Sequence, residues 1–314
     1  MTGEKAVVGV HYEAGYERHD TGRGHPESAV RYRVLREALT GLAPEIVRLP
    51  GRVAMVEEIL LAHEAHYHDL VYRDVEDFAD VLRTGDTAIS IESYEVAREA
   101  TGAVLEAADA VMRGEVRRAF CAVRPPGHHA TADRGMGFCI FNHVAIAANY
   151  LRTQHGLGRV AIVDWDVHHG NGTEDIFVED AEVLYLSLHE SGSYPGSGGA
   201  GDRGRGTGIG ATVNLPLSRG SCGEIALAAW DETAGPALDR FQPEFVLVSA
   251  GFDARQGDPL GGLHWDDETF VRLTRRVVAL AEKHAAGRVV SVLEGGYDPT
   301  GLASAAMAHV RAMR

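Results

Sequence analysis

Two pairs of adjacent histidines carry the first chemical signal in this sequence. His128-His129 closes the run Arg124-Pro-Pro-Gly-His-His, and His168-His169 lies in Val163-Asp-Trp-Asp-Val-His-His-Gly-Asn171-Gly. An imidazole takes and returns a proton near neutral pH, and beside carboxylates it binds metal. Side chains 164, 166 and 168 share one side if the backbone there stays extended. Asp166 and His168 then converge on a single ion, with Asp164 as an acceptor that orients a histidine. Asp253, in Ser249-Ala-Gly-Phe-Asp, is a candidate third ligand, and Tyr297, in Leu293-Glu-Gly-Gly-Tyr, can point a hydroxyl inward. Each piece alone has a plain explanation: a locally bonded loop histidine, a solvated strand end, an idle loop Asp or Tyr. Two carboxylates next to an apolar strand fit a solvated rim poorly, because buried charges need partners.

Together the pieces match hydrolysis of an amide. A metal on Asp166, His168 and Asp253 keeps positions open for water and a carbonyl oxygen. A histidine accepts the water proton and later protonates the leaving amine. Tyr297 hydrogen-bonds the oxyanion, a contact whose loss typically raises the barrier by roughly 2.7–4 kcal/mol.

The elements that must position these groups are short apolar runs alternating with amphipathic segments. Strands are predicted at Ala6–Val10, Glu45–Leu49, Ala119–Val123, Val160–Asp164, Val183–Leu188, Val213–Leu215, Phe245–Ser249 and Val289–Leu293. They are rich in Val and Ile, as suits a parallel sheet buried on both faces. Helices are predicted at Tyr94–Arg113, with Ser93 as cap and Gly114 as stop, at Asn142–His155 before Gly156, and at Glu268–Ala286 before Gly287. This alternation implies an α/β fold with a mostly parallel central sheet of about eight strands and helices on both faces. Ligands in such sheets bind beyond the carboxyl ends of the strands, where all four motifs fall. No solenoid repeat, low-complexity tract or Pro-rich linker divides residues 1–314, so one domain is expected.

Lys plus Arg number 30 against 45 Asp plus Glu, a formal charge of -15, which disfavours nucleic acid and anionic membrane as partners and suits cationic substrates. The three cysteines, Cys121, Cys139 and Cys222, show no CxxC spacing, so a reduced, cytoplasmic setting is expected. The opening residues lack a signal-peptide pattern, and no apolar run is long enough to span a membrane.

The stretches RPPGHHA, GFCIFNHVAIAA, DWDVHHGNGT, LSLH, SAGFDARQGDPLGG and EGGYD resemble, in this order, the histone deacetylase and acetylpolyamine amidohydrolase superfamily. The resemblance runs from His25-Pro26-Glu27 to Tyr297-Asp298. It implies the arginase-deacetylase fold and residue roles. His129 is similar to the main general base and acid, and His128 to its electrostatic partner, oriented by Asp164. Asp166, His168 and Asp253 match the metal ligands, and Tyr297 the transition-state donor. Asn171 stands where class I members have Asp, which makes the chain class II-like. Phe138, preceded by Gly137, and Tyr194 match the aromatic walls of the substrate channel; Tyr194 departs from the usual Phe. Asp86 matches the rim Asp that holds the substrate backbone. A structural potassium ion on oxygens of Asp164, Asp166, His168, Ser187 and Leu188 is implied as well.

The implied activity is a zinc-dependent deacetylase releasing acetyl or other short acyl groups, with Fe²⁺ acceptable to the same ligands. Leu260 stands where a polyamine-selective branch carries Glu, which favours acetyl-lysine side chains over acetylpolyamines. Glu13, Glu17 and Asp20 lie in an N-terminal loop whose course the sequence does not give, as other candidate sources of acid. A two-metal arginase chemistry needs further Asp ligands, and Arg255 stands two residues after Asp253. A catalytically inactive binder of acetylated ligands is disfavoured by intact His128, His129 and Tyr297. Residues 199–204 satisfy GxGxxG, but further glycines follow where a helix must start, so no dinucleotide site is expected. Oligomeric state is not legible.

Overall fold

Among the described residues, all neighbouring strands of the central sheet are parallel, and the last of them in sequence lies in the middle. In the computed structural model, which describes residues 7–43 and 45–314, eight strands form one sheet in the order β2-β1-β3-β8-β7-β4-β5-β6. They are β1 (Val8–Tyr12), β2 (Val47–Arg48), β3 (Arg118–Ala122), β4 (Val160–Asp164), β5 (Val183–Glu190), β6 (Thr212–Leu217), β7 (Phe245–Ala250) and β8 (Val289–Leu293). β4 and β8 have the bounds predicted from sequence. The ends of the others shift by at most two residues, and Ala6, the predicted start of β1, lies outside the described residues. The six strands β1, β3, β4, β5, β7 and β8 are buried along their whole length. That explains why their sequences read as unbroken apolar runs rather than alternating ones.

Helices cover both faces. On one side α4 (Ser93–Met112) packs on α5 (His143–His155), and on the other α1 (Ala29–Thr40), α10 (Pro299–Ala312) and α9 (Asp267–His284) pack side by side. Asn142 caps α5 by accepting from the Ala145 N–H, and Gly156 ends it in the left-handed conformation. Asp266 caps α9 in the same way through Thr269. That helix stops at His284, short of the predicted Ala286, because Ala286 and Gly287 both have positive φ.

Ser93 does not cap α4, as the sequence suggested. It is the first helical residue, after Glu92 at the cap. Its hydroxyl accepts from the Ser90 N–H at 2.7 Å and lies 2.7 Å from His19 Nδ1. The glycine run at 199–204 sits in the β5–β6 connection and leads through a short 3₁₀ turn into a strand, so it opens no helix. Among the described residues, no helix is long and apolar enough to cross a membrane.

Candidate active site

The four chemical motifs follow β3, β4, β7 and β8, and these are consecutive in the sheet as β3-β8-β7-β4. Their carboxyl ends therefore meet at one place, as expected of an open parallel sheet.

After β4 the backbone does not stay extended through residue 168. It bends at Asp166–His168, and successive side chains brace the bend. Asp164 Oδ1 accepts the Asp166 N–H at 3.1 Å, and Asp166 Oδ1 accepts the His168 N–H at 2.9 Å. The bend separates the two acids. Asp164 Oδ2 turns to His128 Nδ1 at 3.0 Å and takes the Tyr185 hydroxyl at 3.1 Å, whereas Asp166 faces His168 and Asp253.

Asp166, His168 and Asp253 each offer one ligand atom, all within 4.8 Å of one another. His168 Nδ1 is 3.1 Å from Asp166 Oδ1 and 3.3 Å from Asp253 Oδ2. The outer carboxylate oxygens are anchored: Asp253 Oδ1 accepts the Val167 N–H at 2.9 Å, and Asp166 Oδ2 accepts the Gly295 N–H at 2.8 Å. A side chain at 295 has no room, since a Cβ there falls 2.0 Å from Asp253 Oδ2 and 2.6 Å from Asp166 Oδ2. Asp253 Oδ2 is buried without a hydrogen-bond partner, a costly state for a carboxylate. Burial, reinforced by Asp166, pushes the Asp253 carboxyl up to about 7. Against its own burial, the nearby Asp166 and Asp253 push His168 up to about 11. The trio thus demands positive charge at its centre, and an oxygen–nitrogen–oxygen set around an orphaned carboxylate oxygen fits a divalent cation.

The two imidazoles after β3 lie with ring centroids 4.0 Å apart, yet their surroundings differ in charge. Burial disfavours a proton on His128, but Asp164, followed by Asp166 and Glu294, outweighs it and raises the ring to about 10. His129 Nδ1 meets the neutral amide of Asn171, Oδ1 at 2.8 Å. Burial, then the charges of His128 and His168, hold His129 well below the usual imidazole range. The surroundings thus favour a proton on His128 and disfavour one on His129.

Above them opens a cavity of about 290 Å³ lined by His129, His168, Phe138, Tyr194, Leu260 and Tyr297, with Asp86 and Gly137 at its wall. Gly137 has φ 56°, and a Cβ there falls 2.3 Å from His129 Cδ2, so the loop can run this close to the imidazole only without a side chain. The Phe138 and Tyr297 rings meet edge-on at 6.1 Å. Leu260 is 38% exposed and sits at the rim. Asp164 and Ser187 stand opposite each other in the β4–β5 register, with Leu188 next, so the expected potassium ligands lie on neighbouring strand ends.

Four groups that hold the site carried no signal in the motif reading. Glu294 is fully buried, accepts the Gly127 and His128 N–H groups at 2.7 and 3.2 Å, and takes the Ser249 hydroxyl at 3.0 Å. Asp258 accepts the Tyr297 N–H at 2.7 Å. Arg31 lies over the Tyr297 ring at 5.3 Å and donates to the Glu294 and Gly296 carbonyls. Glu27 pairs with both Arg31 and Arg124, at 2.9 and 2.8 Å, with all three side chains buried. A charged residue ending an apolar strand, as Glu294 does, was the available clue.

Comparison with known proteins agrees with this geometry. The family model described as "Histone deacetylase domain" matches residues 25–313. A histone deacetylase-like amidohydrolase of Pseudomonas aeruginosa is 39% identical over 90% of this chain and 75% of its own length. A probable deacetylase of Archaeoglobus fulgidus is 38% identical over 94% of this chain and 82% of its own. The crystal structure of the HDA15 HD domain superposes with a TM-score of 0.92 at 32% identity, covering 98% of this chain and 90% of that one. With its sheet, its Asp-His-Asp trio and its histidine pair in the arrangement just described, the chain belongs to the histone deacetylase family.

Proposed function

We propose that this protein, a hydrolase of amide bonds by family, is a zinc-dependent deacetylase that removes acetyl or other short acyl groups from N-acyl amines, with acetyl-lysine side chains as its substrate class. One observation carries the reading. A cation-demanding trio and a free imidazole base sit together at the floor of a narrow channel walled by aromatic rings. Asp166, His168 and Asp253 hold the metal, Zn²⁺ or Fe²⁺; when bound it polarises the amide carbonyl and acidifies a water.

The chain's own groups do the rest. Phe138 and Tyr194 flank the methylene stem and exclude water from it. His129, kept neutral, takes the proton of the attacking water and hands it to the amine nitrogen as the C–N bond breaks. His128, kept charged by Asp164, offsets negative charge building beside it. Asn171 fixes the orientation of His129. Tyr297 donates its hydroxyl to the oxygen that becomes the oxyanion, with its loop steadied by Asp258 and Arg31. Oxygens of Asp164, Asp166, His168, Ser187 and Leu188 would hold a potassium ion, whose charge would steady the bend after β4. The whole of residues 1–314 acts as one deacetylase domain; a single sheet whose strands run from Val8 to Leu293 supports that. The three cysteines are free, two of them buried, in keeping with a reduced cytoplasmic setting. An acetylpolyamine is the second reading, favoured by the carboxylate of Asp86 at the channel wall, while Leu260 supplies no acid there.

The test is a turnover panel on one purified sample: an acetyl-lysine peptide, acetylputrescine, acetylspermidine and longer acyl-lysines, with and without added metal. Metal-dependent release of free amine is expected, fastest from the peptide. No turnover of any member with Zn²⁺, Fe²⁺ or Co²⁺ restored sinks the assignment.

A further inference from the structure

The two walls of the channel are joined by a single carboxylate. Asp86 Oδ1 accepts the Gly137 N–H at 2.8 Å, directly beside the Phe138 wall, and Asp86 Oδ2 accepts the Tyr194 hydroxyl at 3.1 Å from the opposite wall. The hydroxyl that distinguishes Tyr194 from a phenylalanine is what completes the link. Asp86 itself stands on a braced loop: the Thr84 hydroxyl donates to the Gly135 carbonyl at 2.9 Å, and Arg134 Nε donates to the Thr84 carbonyl at 2.7 Å. The Tyr194 segment is pinned on its far side by Ser197 Oγ, 2.8 Å from His169 Nδ1.

Behind this wall lies a second, larger cavity of about 600 Å³, lined by Thr84, Met136, Pro195 and Asn171 among others. Thr84 is two residues from Asp86, and Met136 and Pro195 are the sequence neighbours of Gly137 and Tyr194. The loops that carry Asp86, Gly137 and Tyr194 therefore border both the channel and the cavity. Tyr194 is 37% exposed, so packing alone does not enclose its ring.

We propose that the Asp86 carboxylate, gripped by Tyr194, fixes the width of the channel, and that Tyr194 is a specificity-determining residue which admits unbranched methylene stems and turns away methyl-branched ones. The inference rests on the deacetylase reading only for which molecules enter. Each carboxylate oxygen holds one internal partner and keeps a lone pair to spare, so bracing the walls leaves Asp86 able to accept from a substrate N–H as well.

The experiment compares N-pentylacetamide with methyl-branched pentylacetamides in the wild type, Tyr194→Phe and Asp86→Ala. Binding is read by ligand-observed NMR titration and turnover by amine release. Tyr194→Phe keeps the ring and removes only the tie. It is expected to cut the preference for the straight stem by roughly 10- to 100-fold, the scale of one lost hydrogen bond to a charged acceptor. The change falls in Kd and KM rather than kcat. Asp86→Ala is expected to cut it at least as far. An unchanged preference in Tyr194→Phe, or a loss seen in Asp86→Ala alone, overturns the proposal. If the wild type turns over no N-acyl amine, the deacetylase reading fails, while the binding ratios still decide the fate of the tie.

Discussion

His129 Nδ1 lies 2.8 Å from the amide oxygen of Asn171, while the adjacent His128 has the carboxylate of Asp164 at 3.0 Å. The first partner is neutral and the second charged, and this difference separates the two rings into base and cation. A base whose pKa is lowered stays unprotonated as pH falls. The acidic limb of kcat/KM is therefore expected below the ordinary imidazole value of about 6.5. Asn171→Asp adds a negative charge that favours the imidazolium form, so the limb must move upward toward neutrality. A pH–rate profile of the two proteins checks this; a limb that stays put or moves down removes His129 from the role of base.

Tyr297 reaches the channel from a loop held through its backbone by Asp258, so its ring position does not depend on its hydroxyl. Tyr297→Phe is expected to lower kcat by about 10²–10³ with little change in KM, the usual effect of losing one oxyanion donor. Steady-state kinetics with a parallel thermal melt separates this from misfolding. A variant retaining near full kcat excludes the phenol from the transition state.

Metal affects stability as well as rate. Asp253 Oδ2 is buried and unpaired, so a cation there stabilises the folded chain. Zn²⁺ at 100 times its Kd is expected to add about 2.7 kcal/mol of stability, raising Tm, and chelation is expected to abolish turnover reversibly. In Asp253→Ala the rise in Tm with Zn²⁺ should disappear. An equal rise in that variant places the ion elsewhere.

Glu27 is the counter-charge of two buried arginines. Burial alone raises its carboxyl, but Arg124 and Arg31 outweigh burial and hold it well below the usual carboxylate range. Its contribution to stability is therefore complete above the unfolded carboxyl pKa of about 4.3. It is lost only as pH falls through the depressed folded value. Glu27→Gln strands two cations in the core and is expected to cost about 3–5 kcal/mol, read from urea unfolding at neutral pH. A cost under 1 kcal/mol would show that the arginines find other partners.

Much of this architecture was legible because burial on both faces writes itself into parallel strands as plain apolar runs. β4 and β8 were bounded correctly for that reason, and the ligands followed from their place at strand ends. Other features were not local. The bend at Asp166–His168 is made by side chains accepting backbone N–H groups two residues on, which alternation alone cannot reveal. Ser93 has the chemistry of a cap, but the Ser90 N–H just upstream and His19, brought in by the N-terminal loop, claim its hydroxyl. Glu294, Asp258 and Arg31 act on backbone up to 265 residues away in sequence, and no periodicity records such a partnership. The Asp86–Tyr194 link spans 108 residues, and each residue by itself resembles an ordinary surface group.

The place of β8 bears on how the molecule is made. Residues 289–293 slot between β3 and β7, joining β2-β1-β3 on one flank to β7-β4-β5-β6 on the other. A ribosome that has released everything up to α9 has delivered two incomplete ribbons, each with a raw hydrogen-bonding border facing the gap. Closure waits on the last of the eight strands to emerge, a segment that also brings Glu294 and Tyr297. Assembly is thus governed by long-range pairing, a slow and aggregation-exposed route, and the catalytic floor forms in the same late step that seals the sheet.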